Sequence, residues 1–97
     1  MPKAYWIARM TVNDPAKYQE YLAAAAEPFK KYDVKFIVRG GRAEPLEGPG
    51  RERNVVIEFA SFEEALACYN DPAYQVAAKI RQEAATGELI IVEGYDG

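Results

Sequence analysis

The sequence contains no histidine and a single cysteine, Cys68. Without histidine, the chain cannot form a Ser-His-Asp or Cys-His catalytic group, and it cannot bind zinc or haem through imidazole. One cysteine excludes an internal disulfide, and the apolar neighbours of Cys68 indicate a buried, unreactive thiol. General acid–base chemistry would depend on Asp, Glu, Tyr or Lys. We expect no metal and no cofactor.

The sequence also lacks a long apolar segment and an excess of positive charge. Its apolar runs are far shorter than the roughly 20 residues needed to cross a bilayer, and Arg9 interrupts the short apolar stretch near the start, unlike a signal peptide. The formal net charge of -3 and pI near 5.0 argue against a surface for nucleic acid or anionic membranes. We therefore expect a cytoplasmic protein with no nucleic-acid or membrane partner.

The residues that are present have the composition of one folded domain. The chain has 97 residues, of which 49% are hydrophobic and 12% aromatic, as is typical of globular rather than disordered proteins. This length is sufficient for a single hydrophobic core. Because no linker or low-complexity tract divides the chain, we predict a single domain over residues 1–97.

The residue pattern predicts four strands and two helical regions. Residues that favour strands occur at 4–12, 34–39, 53–60 and 88–95. Asn-Asp-Pro at residues 13–15 and 70–72 and a capping box at residues 61–64 predict helix starts. The first helix carries an apolar stripe to about residue 32 and contains Pro28, which should kink it or loosen its last turn. We expect the last helix to run from about Pro72 to Ala85, where Thr86-Gly87 stops it.

The order of these elements predicts an α+β, ferredoxin-like fold, with a four-stranded antiparallel sheet and helices on one face. The third and fourth strands contain the consecutive apolar runs V-V-I and L-I-I-V, so both faces of the sheet need to be covered. The helices can cover only one face. We therefore predict a homodimer in which two sheets meet face to face.

Six short motifs together resemble the DUF1330 family of small bacterial proteins. They are D-P-x-x-Y-x-x-Y at residues 14–21, V-R-G-G at 38–41, L-E-G at 46–48, V-V-I-E-F at 55–59, Y-N-D-P-A-Y-Q at 69–75 and V-E-G at 92–94. The resemblance spans nearly the whole chain and implies a dimeric α+β barrel. The family has no assigned biochemical role. Related barrels include cofactor-independent monooxygenases and muconolactone isomerase-like enzymes, which is an analogy of fold alone.

Glu58 is the candidate catalytic residue. It lies within the apolar third strand, where a carboxylate must be paired or shift toward its neutral form, as general acids and bases do. Arg9, in the neighbouring first strand, is its predicted partner. The alternative is a structural ion pair inside the fold or at the dimer interface.

The predicted ligand-binding residues are arginines and tyrosines that could surround a gap between the helices and the sheet: Arg9, Tyr21, Arg39, Tyr69, Tyr74 and Arg81. Their polar groups could orient a small molecule. The alternatives are core packing for the tyrosines, and solvated or helix-flank positions for the arginines.

Two functions follow from these residues. One is a homodimer that binds a small polar or aromatic molecule, with the option of a cofactor-free isomerase or monooxygenase-type activity. The other is a non-catalytic interaction or regulatory module.

Residues 36–59 contain four of the seven glycines and four arginines, which raises the question of an anion-binding loop. A phosphate-binding loop has its glycines between a strand and a helix, whereas Gly40 and Gly41 lie between two predicted strands. We predict a hairpin with a bulge or bend at Gly40-Gly41 and a turn at residues 48–50. Its long arm should contact the partner subunit or border a pocket entrance.

Overall fold

The structure, a computed structural model that describes residues 2–96, has helices on one face of a four-stranded sheet. The elements are β1 (Ala4–Val12), α1 (Pro15–Lys31), β2 (Lys35–Arg39), β3 (Arg53–Phe59), α2 (Phe62–Asn70), α3 (Pro72–Ala84) and β4 (Ala85–Glu93). The strand order is β2-β3-β1-β4, and every neighbouring pair is antiparallel. The predicted ferredoxin-like architecture is confirmed.

The helices begin where the capping residues predict. The side chains of Asp14, Ser61 and Asp71 each accept a hydrogen bond from a backbone N–H in the first turn of their helix. These bonds satisfy donors that have no partner within the helix. Asp71 ends α2 and begins α3, so the two helices adjoin. Helix α1 continues through Pro28 and ends at Lys31.

The predicted stop at Thr86-Gly87 after the last helix is wrong. Helix α3 ends at Ala84 and β4 begins at Ala85, so Thr86 and Gly87 lie inside the strand rather than in a turn. Gly87 is required there because its φ is 156° and an added Cβ would lie 2.0 Å from the carbonyl oxygen of Arg9 on β1. The close approach of two backbones, rather than a turn, explains this glycine.

The core lies between the helices and the face of the sheet that we call the helix face. Trp6 of β1 is its centre: the ring is 1% exposed and packs against the rings of Phe29, Phe59, Tyr69 and Tyr74. Its indole nitrogen donates to the carbonyl of Ala65, at 3.0 Å. A tryptophan whose polar atom is satisfied in this way can be buried completely.

The opposite face of the sheet, the open face, carries apolar side chains that no helix or strand within residues 2–96 covers. Tyr5 and Ile7 of β1, Val56 of β3, and Ile90 and Val92 of β4 point to this side. Ile90 is 52% exposed and Val92 is 40% exposed. Their exposure agrees with the expectation that both faces of the sheet need cover. No helix within residues 2–96 is long and apolar enough to span a membrane.

Residues 40–52 form the arm between β2 and β3. Near the end of the arm, Arg51 donates to the hydroxyl of Thr11 at 3.1 Å, and the carboxylate of Glu52 accepts from the backbone N–H of Val12 at 2.7 Å. The arm is thus tied to the end of β1. Contact between this arm and a partner subunit stays a prediction.

Candidate functional site

A cleft lies between helices α1 and α3 and the helix face of the sheet. We call it the arginine cleft. The space between its walls, including the open mouth, is about 410 Å³, and about 30 Å³ of this can be occupied by the centre of a water-sized molecule. The cleft is therefore narrow, and an organic ligand would have to displace side chains at the mouth. It is lined by Trp6, Ala8, Tyr18, Tyr21, Leu22, Phe29, Phe36, Arg39, Arg53, Val55, Ile57, Arg81 and Leu89.

The strand register places the apolar and charged residues of the cleft floor in successive rows. One row across the sheet contains Phe36, Ile57 and Trp6, which pair in register. The next row on the helix face begins with Arg39, and Arg53 lies one row further along β3. The floor thus passes from an apolar row to rows that carry arginines, and the Arg39 side chain reaches back over the Phe36 ring.

Arg81 brings a third guanidinium into the cleft from the last turn of α3. It is only 6% exposed, and its Nε atom is buried with no hydrogen-bond partner among residues 2–96. Its guanidinium carbon lies 5.6 Å from the centre of the Tyr21 ring. Arginine stays protonated in proteins, and no carboxylate within residues 2–96 lies within 4.0 Å of this guanidinium.

Arg39 and Arg53 are also held by aromatic rings rather than by carboxylates. The guanidinium of Arg39 lies 4.3 Å from the centre of the Phe36 ring. Arg53 lies 5.2 Å from the centre of the Tyr18 ring, and its Nε donates to the Tyr18 hydroxyl at 3.1 Å. Ring contacts and a hydroxyl orient a guanidinium without neutralising it.

Tyr21 presents a buried phenol beside Arg81. Its hydroxyl and that of Tyr74 are 2.8 Å apart. Burial, followed by the proximity and hydrogen bond of Tyr74, raises the pKa of Tyr21 well above its usual value, and the Arg81 charge offsets only part of this. Burial likewise raises the pKa of Tyr74. Both phenols are therefore protonated near neutral pH.

The structure does not bring Glu58 and Arg9 into this cleft. Both lie on the open face, and the register pairs Arg9 with Asn54 and Glu58 with Tyr5. The carboxylate of Glu58 accepts from Lys3 at 3.2 Å and from the Tyr5 hydroxyl at 3.4 Å. The predicted Arg9–Glu58 pair is therefore wrong, because four residues of β1, about 13 Å, separate the two positions. A catalytic role for Glu58 stays a prediction.

The other candidates divide between the cleft and the core. Tyr21, Arg39 and Arg81 line the arginine cleft. Tyr74 lies behind Tyr21 and is fully buried, and Tyr69 packs against Trp6 outside the cleft lining. Burial raises the pKa of the Cys68 thiol to about 12, so the thiol is unreactive, as predicted. Residues 2–96 contain no group of three or more acidic or cysteine side chains placed to hold a metal ion.

Arg53 is the cleft residue that the sequence pattern did not single out. Residues two apart on a strand share a face, so the spacing of Arg53 from the apolar Val55, Ile57 and Phe59 could have indicated that it faces the helices. Arg39 was harder to place. The pairing of β2 with β3 shifts register between Phe36 and Val38. Phe36 and Arg39 therefore both line the cleft, although residues three positions apart on a regular strand point to opposite faces.

The matches to known proteins cover nearly the whole chain. The model of DUF1330, a domain of unknown function, matches residues 3–95. The chain belongs to the DUF1330 family. A search of curated proteins found no match to this DUF1330 chain.

Solved structures similar to this DUF1330 chain share its fold at low sequence identity. A protein of unknown function from Rhodopseudomonas palustris has a TM-score of 0.79 and 19% identity, covering 99% of this chain and 85% of its own. SnoaB, a cofactor-independent oxygenase from Streptomyces nogalater, has a TM-score of 0.68 and 16% identity, covering 100% and 97%. A dimeric ferredoxin-like protein from Thermobifida fusca has a TM-score of 0.61 and 16% identity, covering 95% and 89%. At these identities the likeness shows the fold alone.

Proposed function

We propose that this DUF1330 protein is a homodimer that binds a small organic molecule in the arginine cleft. The observation that carries the proposal is the make-up of the cleft. Its walls are mainly aromatic and aliphatic, and three arginines are among the residues that line it. Apolar walls with a few converging polar groups are typical of small-molecule sites.

Binding is better supported than catalysis by the residues of the cleft. No Asp or Glu lines it, and the raised pKa of Tyr21 keeps that phenol protonated. The cleft therefore lacks a general base for proton abstraction near neutral pH. An isomerase activity, or an oxygenase activity like that of SnoaB, would need a substrate that is reactive without such a base.

A thermal-shift screen of small aromatic and polar molecules tests the binding proposal, because a ligand that binds only the folded state raises Tm. Chemical-shift changes at the Trp6 indole N–H would locate a hit, since Trp6 lines the cleft. Hits that leave this resonance unchanged and instead shift residues of the open face would contradict the proposal.

The uncovered apolar residues of the open face support the homodimer. Ile90 and Val92 are exposed on β4 although they belong to an apolar run, and a second copy would bury them. The dimeric protein from Thermobifida fusca has the same fold. We expect light scattering to give twice the chain mass of 10.8 kDa.

Substitution of one apolar residue separates this interface from general surface hydrophobicity. Ile90→Glu should yield monomers, because charged residues in two facing sheets would repel each other and lose water. Val76 of α3 is 63% exposed but lies on a helix, so Val76→Glu is the matched control and should remain a dimer. A monomeric wild-type protein at micromolar concentration would refute the dimer.

A further inference from the structure

The arginine cleft has a charge opposite to that of the protein as a whole. The chain has a formal net charge of -3, yet the cleft is lined by Arg39, Arg53 and Arg81 and by no acidic residue. Within residues 2–96, no carboxylate lies within 4.0 Å of these three arginines. We propose that the ligand of the cleft is an organic carboxylate with an apolar, preferably aromatic, body. This inference rests on the proposed function.

Arg81 shows most directly that an acceptor is missing. A guanidinium has five N–H donors and cannot lose its charge, and burying one without hydrogen bonds is costly. The Nε of Arg81 is nevertheless buried and unpartnered, at a residue that is 6% exposed. A carboxylate can accept two parallel hydrogen bonds from one guanidinium and would satisfy this donor.

The ligand's orientation follows from the positions of the guanidinium groups. Its carboxylate would lie beside Arg81 and Arg53. Its body would extend toward Trp6 and Phe36, where Arg39 lies over the Phe36 ring. The aromatic rings there provide faces and edges for an aromatic body.

A phosphate group is less well suited to this site than a carboxylate. Phosphate sites commonly use the free backbone N–H groups at a helix N-terminus. Here the N-termini of α1, α2 and α3 are capped by the side chains of Asp14, Ser61 and Asp71. The cleft therefore offers guanidinium groups and tyrosine hydroxyls but no helix N-terminus, and a guanidinium fork matches a planar carboxylate.

Gly40 leaves room for the guanidinium of Arg53. A Cβ added at Gly40 would lie 2.8 Å from Nη1 of Arg53, so the guanidinium occupies the space that any other residue would fill. Gly40→Ala should displace Arg53 and weaken carboxylate binding. Gly48→Ala is the matched control, because Gly48 also has a positive φ, 81°, but has no atom near its added Cβ.

The experiment compares acids with their neutral amides on the intact protein. Benzoate and benzamide, and cinnamate and cinnamamide, differ in charge but have nearly the same shape. Binding is measured by titration calorimetry and by the 15N-coupled Nε–H resonance of Arg81, with sodium chloride added to equalise ionic strength. We expect the acids to bind at least about tenfold more tightly than the amides, as one lost charged hydrogen bond implies.

Variants test whether the cleft arginines cause this preference. Arg81→Met and Arg39→Gln should each reduce acid binding about tenfold or more and so remove most of the preference for acids over amides. Arg42→Gln removes the same charge from an arm residue that does not line the cleft, and it should bind like the wild type.

The outcomes separate the two levels of the proposal. Equal binding of acids and amides at the cleft would overturn the carboxylate assignment and leave small-molecule binding intact. Tighter binding of phenyl phosphate than of benzoate would also overturn it, in favour of a phosphate ligand. If neither acids nor amides bind, and the Arg81 and Trp6 resonances do not move, both the inference and the proposed function fail.

Discussion

Replacement of Arg81 by methionine distinguishes a ligand-binding arginine from a structural one. The substitution removes the guanidinium and keeps an unbranched, apolar side chain against Tyr21. Within residues 2–96 the guanidinium makes no ion pair, and its buried Nε has no partner. The free protein therefore loses little when this charge is removed.

The expected change in stability comes from two opposing contributions. Removing an unsatisfied buried donor should stabilise the fold by about 1–3 kcal/mol. Losing the contact between the guanidinium and the Tyr21 ring, at 5.6 Å, should cost about 0.5–2 kcal/mol. The net effect lies between a loss of about 1 kcal/mol and a gain of about 2.5 kcal/mol, and each 1 kcal/mol would shift Tm by about 4–8 °C in a domain of this size.

Urea denaturation of both proteins at equal concentration measures this difference, since dimerisation makes stability depend on concentration. Removing one partner of a buried, satisfied ion pair typically costs about 3–5 kcal/mol. A loss of that size in Arg81→Met, with benzoate binding retained, would show that Arg81 is structural and would refute the reasoning. Lost benzoate binding with a stability loss of no more than about 1 kcal/mol, or with a gain, is the expected pair of results.

Two further predictions concern the fold. Gly87→Ala should lower the free energy of unfolding by more than about 2 kcal/mol in urea denaturation, because its Cβ would meet the backbone of Arg9 at 2.0 Å and its φ is strained. Asp71→Asn should reduce stability near neutral pH but not in strong acid. The hydrogen bond from Lys31, followed by those from the Ala73 N–H and Tyr32, lowers the pKa of Asp71. Its stabilisation is therefore complete above the unfolded value of about 3.9 and is lost as pH falls through the lowered folded value.

Controls for these substitutions come from the same chain. Gly41→Ala introduces a Cβ with no atom within 4 Å, so it should change stability by less than about 0.5 kcal/mol. For Asp71→Asn, thermal melts from strongly acidic to neutral pH should converge with the wild type in acid. A constant difference across this range would show that the charge of Asp71 is not the cause.

The topology could be predicted from the sequence because each strand and helix carries its own local pattern. Capping residues such as Ser61 and Asp71 began helices as expected, and the order of elements then permitted few arrangements. The end of α3 was mistaken because Thr86-Gly87 is locally typical of a turn. Only the pairing of β4 with β1 reveals that Gly87 serves a close contact between strands.

The site was harder to predict because it depends on which face each strand residue occupies. A carboxylate in an apolar strand suggested Glu58. Residues of β3 alternate between the two faces of the sheet, however, and Glu58 lies on the open face beside Lys3 and Tyr5. The register shift in β2 places Phe36 and Arg39 on the same face, whereas a regular strand would place them on opposite faces. No local pattern encodes that shift. The presence of Arg39, Arg53 and Arg81 in one cleft is therefore known only from the structure.

The wall of the cleft that carries Phe36 and Arg39 belongs to the least secured strand of the sheet. β2 has five residues, forms hydrogen bonds with β3 alone, and has its pairing interrupted by the register shift. Local openings of such an edge require far less free energy than unfolding of the core. Fraying of β2 would widen the cleft without a separate lid, so the rate of ligand entry should follow the hydrogen-exchange rate of the β2 amides. The edge strand would then control access to the cleft and supply Arg39, whereas helix α3 holds the buried Arg81 in place.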